Sequence, residues 1–123
     1  MGLFNTTSFR ILEQGLQYTA ENSKVISNNI ANIDTPDYKS KFLTFSNVLK
    51  EKMDSSKARH KYELHLQIND IIVDEDTKGQ PDGNNVDYEL QATMLKRNAL
   101  LQEAIITHLE GSLNSMKTAM RRN

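Results

Sequence analysis

Between Tyr88 and Met120 the chain reads YELQATMLKRNALLQEAIITHLEGSLNSMKTAM, in which Tyr88, Ala92, Leu95, Ala99, Gln102, Ile106, Leu109, Leu113, Met116 and Met120 recur at alternating steps of four and three. That alternation is a coiled-coil seam, because it holds one stripe of side chains on the side of a helix that meets a partner. Only Gln102 in the stripe is polar. A second stripe, Leu90, Met94, Leu101 and Ile105, lies beside the first. The apolar face is therefore wider than one partner helix needs, which predicts more than one neighbour. Asp82-Gly83-Asn84-Asn85 supplies turn and N-cap chemistry ahead of the helix. Asp87 and Glu89 sit where the helix dipole favours acids, and Lys117, Arg121 and Arg122 where it favours bases.

The same arithmetic governs the other end of the chain, where Phe9, Leu12, Leu16, Thr19, Ser23, Ile26, Ile30 and Ile33 alternate threes and fours. The spacing predicts a helix from Ser8 to Asn32, capped by Thr7 or Ser8 and stopped at Asp34-Thr35-Pro36, since proline restricts the residue before it and donates no amide. Thr19, Ser23 and Gln102 either are solvated where the helices splay or fix the register of pairing. Gly15 and Gly111, each about 1 kcal/mol worse than alanine in a helix interior, either lie on exposed faces or admit a close neighbour.

Helices of about 25 and 35 residues measure about 38 and 52 Å at ~1.5 Å per residue, far beyond the radius of gyration of ~14 Å expected of a compact chain this long. The predicted fold is all-α and elongated: the N- and C-terminal helices pair as an antiparallel coiled-coil hairpin, and a small β-containing segment lies between them. Residues 1–36 and 84–123 form the helical rod and 37–83 the middle. In that middle, Phe42, Phe45, Val48 and Leu49 make an apolar cluster, followed by the polar stretch Lys50 to Lys61. Leu64, Leu66 and Ile68 alternate with His65, Gln67 and Asn69 as in a strand with one buried face, and Ile71 to Val73 either continues it or returns beside it. No repeat of solenoid period is present.

A length of 123 residues predicts one domain, or one domain plus arms, and 37% apolar residues against the usual ~45–50% predict a thin core. Fifteen Lys+Arg against sixteen Asp+Glu give a net charge of -1, with no basic excess to draw the chain onto nucleic acid or an anionic membrane. Cysteine is absent, which excludes a disulfide framework and a thiolate zinc site. The N-terminus Met1 to Arg10 lacks the basic and apolar regions of a secretory signal, and no apolar run approaches the ~18 residues needed to cross a bilayer. Met1-Gly2 with Thr6 meets the myristoylation pattern only weakly.

His60, His65 and His108 share no metal-ligand spacing. Asp74 to Asn85 mimics a calcium loop but places Lys78 at its fifth position and Asn85 where a bidentate carboxylate is required. No nucleophile elbow, phosphate-cradling loop or paired acid and base appears. Lys50, Lys52, Lys57, Arg59 and Lys61 are interleaved with Glu51, Asp54 and Glu63, as in a solvated loop. The expectation is a protein that is not an enzyme, with no cofactor, metal or small-molecule substrate.

Ile26-Ser27-Asn28-Asn29-Ile30-Ala31-Asn32-Ile33-Asp34-Thr35-Pro36-Asp37-Tyr38-Lys39 resembles the N-terminal signature of bacterial flagellar rod and hook proteins, Ala-Asn-x-x-Thr-Pro-x-Tyr at the end of the first helix. Asp82-Gly83-Asn84-Asn85-Val86-Asp87-Tyr88-Glu89, with the long helix after it, resembles the matching segment of the rod members, and the short middle is like that of the family's proximal rod subunit. Asp37 stands where the family usually has glycine. The resemblance implies a structural subunit of the basal-body rod, self-assembling into a helical tube that transmits torque. It implies export by the flagellar type III apparatus without a cleaved signal, and a place in the basal body, in the periplasmic space. The implied partners are copies of itself, adjoining rod proteins and the base component linking rod to membrane ring. In this reading Ala31 and Asn32 end the helix, Thr35 and Pro36 fix the turn, and Tyr38 anchors the outgoing chain. The residues expected to carry assembly are Leu12, Leu16, Ile26, Ile30, Leu95, Ile106, Leu109, Leu113 and Met116 on the seams, together with Ala31, Asn32, Thr35, Pro36 and Tyr38. The alternative is a soluble helical-hairpin adaptor that binds one partner helix through the same stripes.

Overall fold

A computed structural model of the chain describes residues 7–44 and 70–121. Helix α1 spans Thr7–Ala31, strand β1 Lys41–Thr44, strand β2 Asp70–Val73 and helix α2 Tyr88–Arg121. The strand expected over Leu64, Leu66 and Ile68, and the cluster of Phe45, Val48 and Leu49, lie outside the described residues.

The two helices form the antiparallel hairpin that the seams predict. Asn29 of α1 meets Gln91 of α2, Asn98 bonds to the α1 turn at Thr19 to Ser23, and Gly15 lies beside Ile105, so the partner's number rises as α1 runs back toward its start. At ~1.5 Å per residue, 25 and 34 residues give lengths of about 37 and 51 Å, so α2 outreaches α1 at the end away from the strands.

The face by which α2 packs is turned from the predicted stripe. Leu95, Gln102, Leu109 and Met116 are half-buried as expected, but the neighbouring heptad row is Gln91, Asn98, Ile105 and Ser112, while Ala99, Ile106 and Leu113 are exposed. On this face Asn98 is buried and its carboxamide is satisfied by α1, donating to the Thr19 carbonyl and the Ser23 hydroxyl and accepting from Asn22. Thr19 is fully buried and Ser23 accepts from Asn98, so neither is simply solvated where the helices splay. Gly15 admits a close neighbour, since a Cβ there would stand 3.0 Å from Ile105 Cδ1, whereas Gly111 faces open space.

Helix α1 ends in a run of tight turns. The Asn32 amide is shared between the carbonyls of Asn28 and Asn29, and its side chain donates back to the Asn28 carbonyl at 2.8 Å. Asp37 then reverses the chain in the left-handed region at φ 60°, a conformation that glycine adopts at no steric cost and that aspartate tolerates better than most residues. Helix α2 is capped by Asp87, whose Oδ1 accepts the Leu90 amide at 3.2 Å. Asn84 and Asn85 are thus not caps; they serve the joint described below.

β1 and β2 pair antiparallel with Lys41 opposite Val73 and Thr44 opposite Asp70, so Ile71 to Val73 lies beside β1, a partner the alternation does not single out. A two-stranded ribbon is marginal by itself. It is held on the end of the hairpin through α1. Among the described residues the fully buried apolar side chains are Ile26 and Val86, and the rest of the buried set is polar: Thr19, Asn29, Ser40, Asn84, Asn85, Gln91 and Asn98. The thin core expected from composition is a core of amides. Among the described residues no helix is long and apolar enough to cross a membrane.

Candidate functional site

Two features stand out: a joint where α1, the ribbon and α2 converge, and two apolar strips along α2.

At the joint, three asparagine carboxamides act as substitute peptide groups. Asn29 lies against the outer edge of β1 as a strand would: its Oδ1 accepts the Lys41 amide at 3.0 Å and its Nδ2 donates to the Lys41 carbonyl at 2.8 Å. Asn85 closes the end of the ribbon, accepting the Ser40 amide at 2.7 Å and donating to the Asp74 carbonyl at 2.7 Å. Asn84 donates to the carbonyls of Asn32 and Thr35, each at 2.8 Å, and so satisfies acceptors left open where α1 stops. A carboxamide has the donor and acceptor of a peptide unit and can enter a backbone ladder where the chain cannot.

Around these amides the connections close. Tyr38 donates its hydroxyl to Asn29 Oδ1 at 3.1 Å, anchoring the outgoing chain as the signature implies. Burial raises the Tyr38 phenol above its ordinary range, which keeps it a donor. The Asp37 amide donates to the Asp82 carbonyl, and Lys39 donates to the Gly83 carbonyl. Gly83 is at φ 86°, and a Cβ there would collide with Asp37. Asp74, just beyond β2, accepts the amides of Asp76 and Thr77. The side-chain and then the backbone hydrogen bond of Thr77 hold its carboxyl below the usual aspartate range. Neutral amides, hydroxyls and peptide groups dominate this joint, which equips it to hold chain segments in place.

The strips on α2 follow from helical geometry. At about 100° per residue, Leu90 and Leu101 share one side of the α1-covered row, and Tyr88, Ile106 and Leu113 share the other. All five are exposed, at 47%, 46%, 59%, 40% and 38%. One partner helix covers the middle of the apolar face and leaves both shoulders bare.

The residues expected to carry assembly divide accordingly. Ile26 is buried; Leu12, Leu16, Ile30, Asn32, Tyr38, Leu95, Leu109 and Met116 are half-buried; Ala31, Thr35, Pro36, Ile106 and Leu113 are exposed. Leu12, Leu16, Ile26, Ile30, Leu95 and Leu109 lie along the hairpin, Asn32 and Tyr38 belong to the joint, Met116 lies on the part of α2 beyond the start of α1, and the other five are exposed. Sequence reasoning missed Asn29, Asn85, Gln91 and Asn98 as structural residues. The available signal was their heptad spacing, 22 to 29 and 91 to 98, and the doublets Asn28-Asn29 and Asn84-Asn85.

The family described as "Flagella basal body rod protein" matches residues 9–39, which is α1 with the turn out to Lys39. The chain is 36% identical over 126 residues to the flagellar basal body rod protein FlgB of Bacillus subtilis (strain 168), covering 98% of this chain and 97% of that protein. It is 27% identical over 128 residues to proteins of the same name from Yersinia enterocolitica and Yersinia ruckeri, covering 93% of this chain and 93% of each relative.

Proposed function

The chain belongs to the family of flagellar basal body rod proteins, and from that premise we propose how it is built into a rod. It is a structural subunit of the flagellar basal body and associates with copies of itself and with other rod components. The hairpin is the unit, and the two shoulders of α2 are the surfaces by which neighbouring subunits pack. The observation that carries this reading is the pair of apolar strips flanking the α1-covered row. Two different strips on one subunit allow head-to-tail contacts, which build a ring or an open helical filament instead of closing as a two-fold dimer, and the rod family favours the filament. Burying a leucine or isoleucine fully contributes about 1.5–3 kcal/mol, so a few half-exposed side chains per shoulder add up once each subunit has neighbours on both sides. Ala31, Thr35 and Pro36, exposed beside the joint, form the part of the signature that faces an adjoining subunit.

In this proposal the subunit lies at the cell-proximal end of the rod, in the periplasmic space, after passage through the flagellar export apparatus. It meets the base component that links rod to membrane ring and transmits torque. Likeness along 97% of the Bacillus relative favours this role over a lone adaptor hairpin, which would require only the two stripes.

The test is Ile106→Asp and Leu113→Asp. Both positions are exposed, so the purified variants should melt within about 0.5 kcal/mol of the parent. Cells carrying either should lack rods and motility. Normal motility in both would mean that this shoulder packs against nothing.

A further inference from the structure

The buried amides between the helices follow the heptad, and they stop. Asn29 faces Gln91, with Nδ2 to Oε1 at 3.1 Å. Seven residues on, Asn98 donates to the Thr19 carbonyl at 2.8 Å and to Ser23 Oγ at 2.7 Å, and accepts from Asn22 Nδ2 at 3.1 Å. At the next layer Gly15 lies against the Ile105 side chain. Asn98 is 4% exposed with both of its donors and its acceptor satisfied, all within one turn of α1. Gln91, in contrast, is fully buried and its Nε2 has no partner, so the ladder is not optimised for stability.

We propose that Asn22, Ser23 and Asn98 form a register lock that adds to the joint in setting how α1 pairs with α2, at some cost to the stability of the pair. A slip of one heptad in either direction removes Asn98 from the Thr19 to Ser23 turn and brings Ile105 or Gln91 to it instead. The slip that brings Ser112 opposite Gly15 puts Asn98 opposite Asn29, which is already engaged with Lys41 and Tyr38, and leaves Asn22 facing Ile105 with no amide. Each orphaned buried amide disfavours the slipped pairing by roughly tenfold or more. Apolar residues in the same places would pack in either register, and replacing a buried polar group together with its partner by apolar residues is commonly neutral or stabilising. The lock acts within one subunit and is independent of how subunits meet.

The chain has no cysteine, so introduced pairs report register without background. In the full-length protein, Gly15→Cys with Ile105→Cys reads the native pairing, and Gly15→Cys with Ser112→Cys reads a slip of one heptad. The parent should form the first disulfide at least about tenfold faster than the second. Asn22→Leu with Asn98→Leu should melt no lower than the parent, yet raise the slipped crosslink relative to the native one by at least about tenfold. Moving the amide by Asn98→Ile with Ile105→Asn should raise the slipped crosslink, Gly15→Cys with Ser112→Cys, further still. An unchanged ratio of the two crosslinks in the Leu variant would overturn the proposal. Loss of its helical circular dichroism would do so as well, because the amides would then be needed for folding itself and not for choosing a register.

Discussion

Asn29→Ala tests the joint at its most connected residue. The side chain is fully buried and exchanges four hydrogen bonds: with the Lys41 amide at 3.0 Å, the Lys41 carbonyl at 2.8 Å, the Tyr38 hydroxyl at 3.1 Å and Gln91 Oε1 at 3.1 Å. Alanine leaves four groups without their partner. Lys41 and Tyr38 are only half-buried, so water can replace part of what they lose. Gln91 is fully buried, already carries one unpartnered nitrogen, and would lose its oxygen's partner too. With about 1–3 kcal/mol for a group stranded in the interior and less for each of the solvated ones, the loss is about 3 kcal/mol. That is a large share of the ~5–15 kcal/mol a domain possesses, and a thin core belongs at the low end. Urea titration followed by circular dichroism would measure it. A cycle with Tyr38→Phe isolates one bond: removing the phenol should cost about 1 kcal/mol in the parent and close to nothing once Asn29→Ala has removed its acceptor. A midpoint for Asn29→Ala equivalent to within about 0.5 kcal/mol of the parent would refute the reasoning, because the carboxamide would then be holding nothing that water cannot hold.

Three further outcomes are expected. Asp37→Gly relieves the left-handed backbone at φ 60° and should raise stability by about 0.5–1 kcal/mol in a thermal melt, while Asp37→Val should lower it. Because Asp74 titrates lower in the folded chain than in the unfolded one, its contribution is complete above the unfolded value of about 4 and is lost as pH falls through the lower folded value. The stability of Asp74→Asn should therefore fall less steeply than the parent's below about pH 4, as read by urea midpoints at stepped pH. Pro36→Ala frees the turn after α1 without touching the buried amides, so the subunit should be made and secreted as the parent is but incorporated less into rods, a ratio read by comparing secreted with rod-bound protein.

Much of this architecture can be taken from spacing. The steps of three and four fix the existence, length and antiparallel pairing of α1 and α2, because apolar stripes this long at both ends of one short chain must be buried against each other. The facing of α2 resists the same method. A stripe drawn through Ala99, Ile106 and Leu113 is the apolar choice, yet Asn98 is buried and those three are exposed, since hydrogen bonds to another helix outweigh side-chain hydropathy. Such bonds depend on a partner 75 to 79 residues away, which no local pattern encodes. The joint is hidden for a related reason. Asn84 and Asn85 look like caps for the helix after them, a use asparagine often has, and only the fold shows that Asp87 takes that place and releases both. Tyr38, in contrast, anchors the chain as its motif implies.

The joint also sets the order in which the chain can fold. It ties residues 44 to 52 positions apart, through Lys39 to Gly83, Ser40 to Asn85 and Asn32 to Asn84, whereas the seam beyond it requires separations that grow from 62 at Asn29 and Gln91 to 79 at Thr19 and Asn98. Closing a loop costs entropy that rises only slowly with length, about 0.6 kcal/mol per doubling, and is spent once. After the joint has closed, each successive heptad of the hairpin adds to a loop already made, and the helices can zip away from it toward their free ends. The slow event is then the meeting of distant amides, and pairing of α1 with α2 follows it. Substitutions at Asn84 or Asn85 should slow refolding, while Gly15→Ala or Ile105→Val should chiefly speed unfolding. A chain with this contact order pairs its two long helices only after its second half has met its first, and the amides of the joint are where that meeting is made.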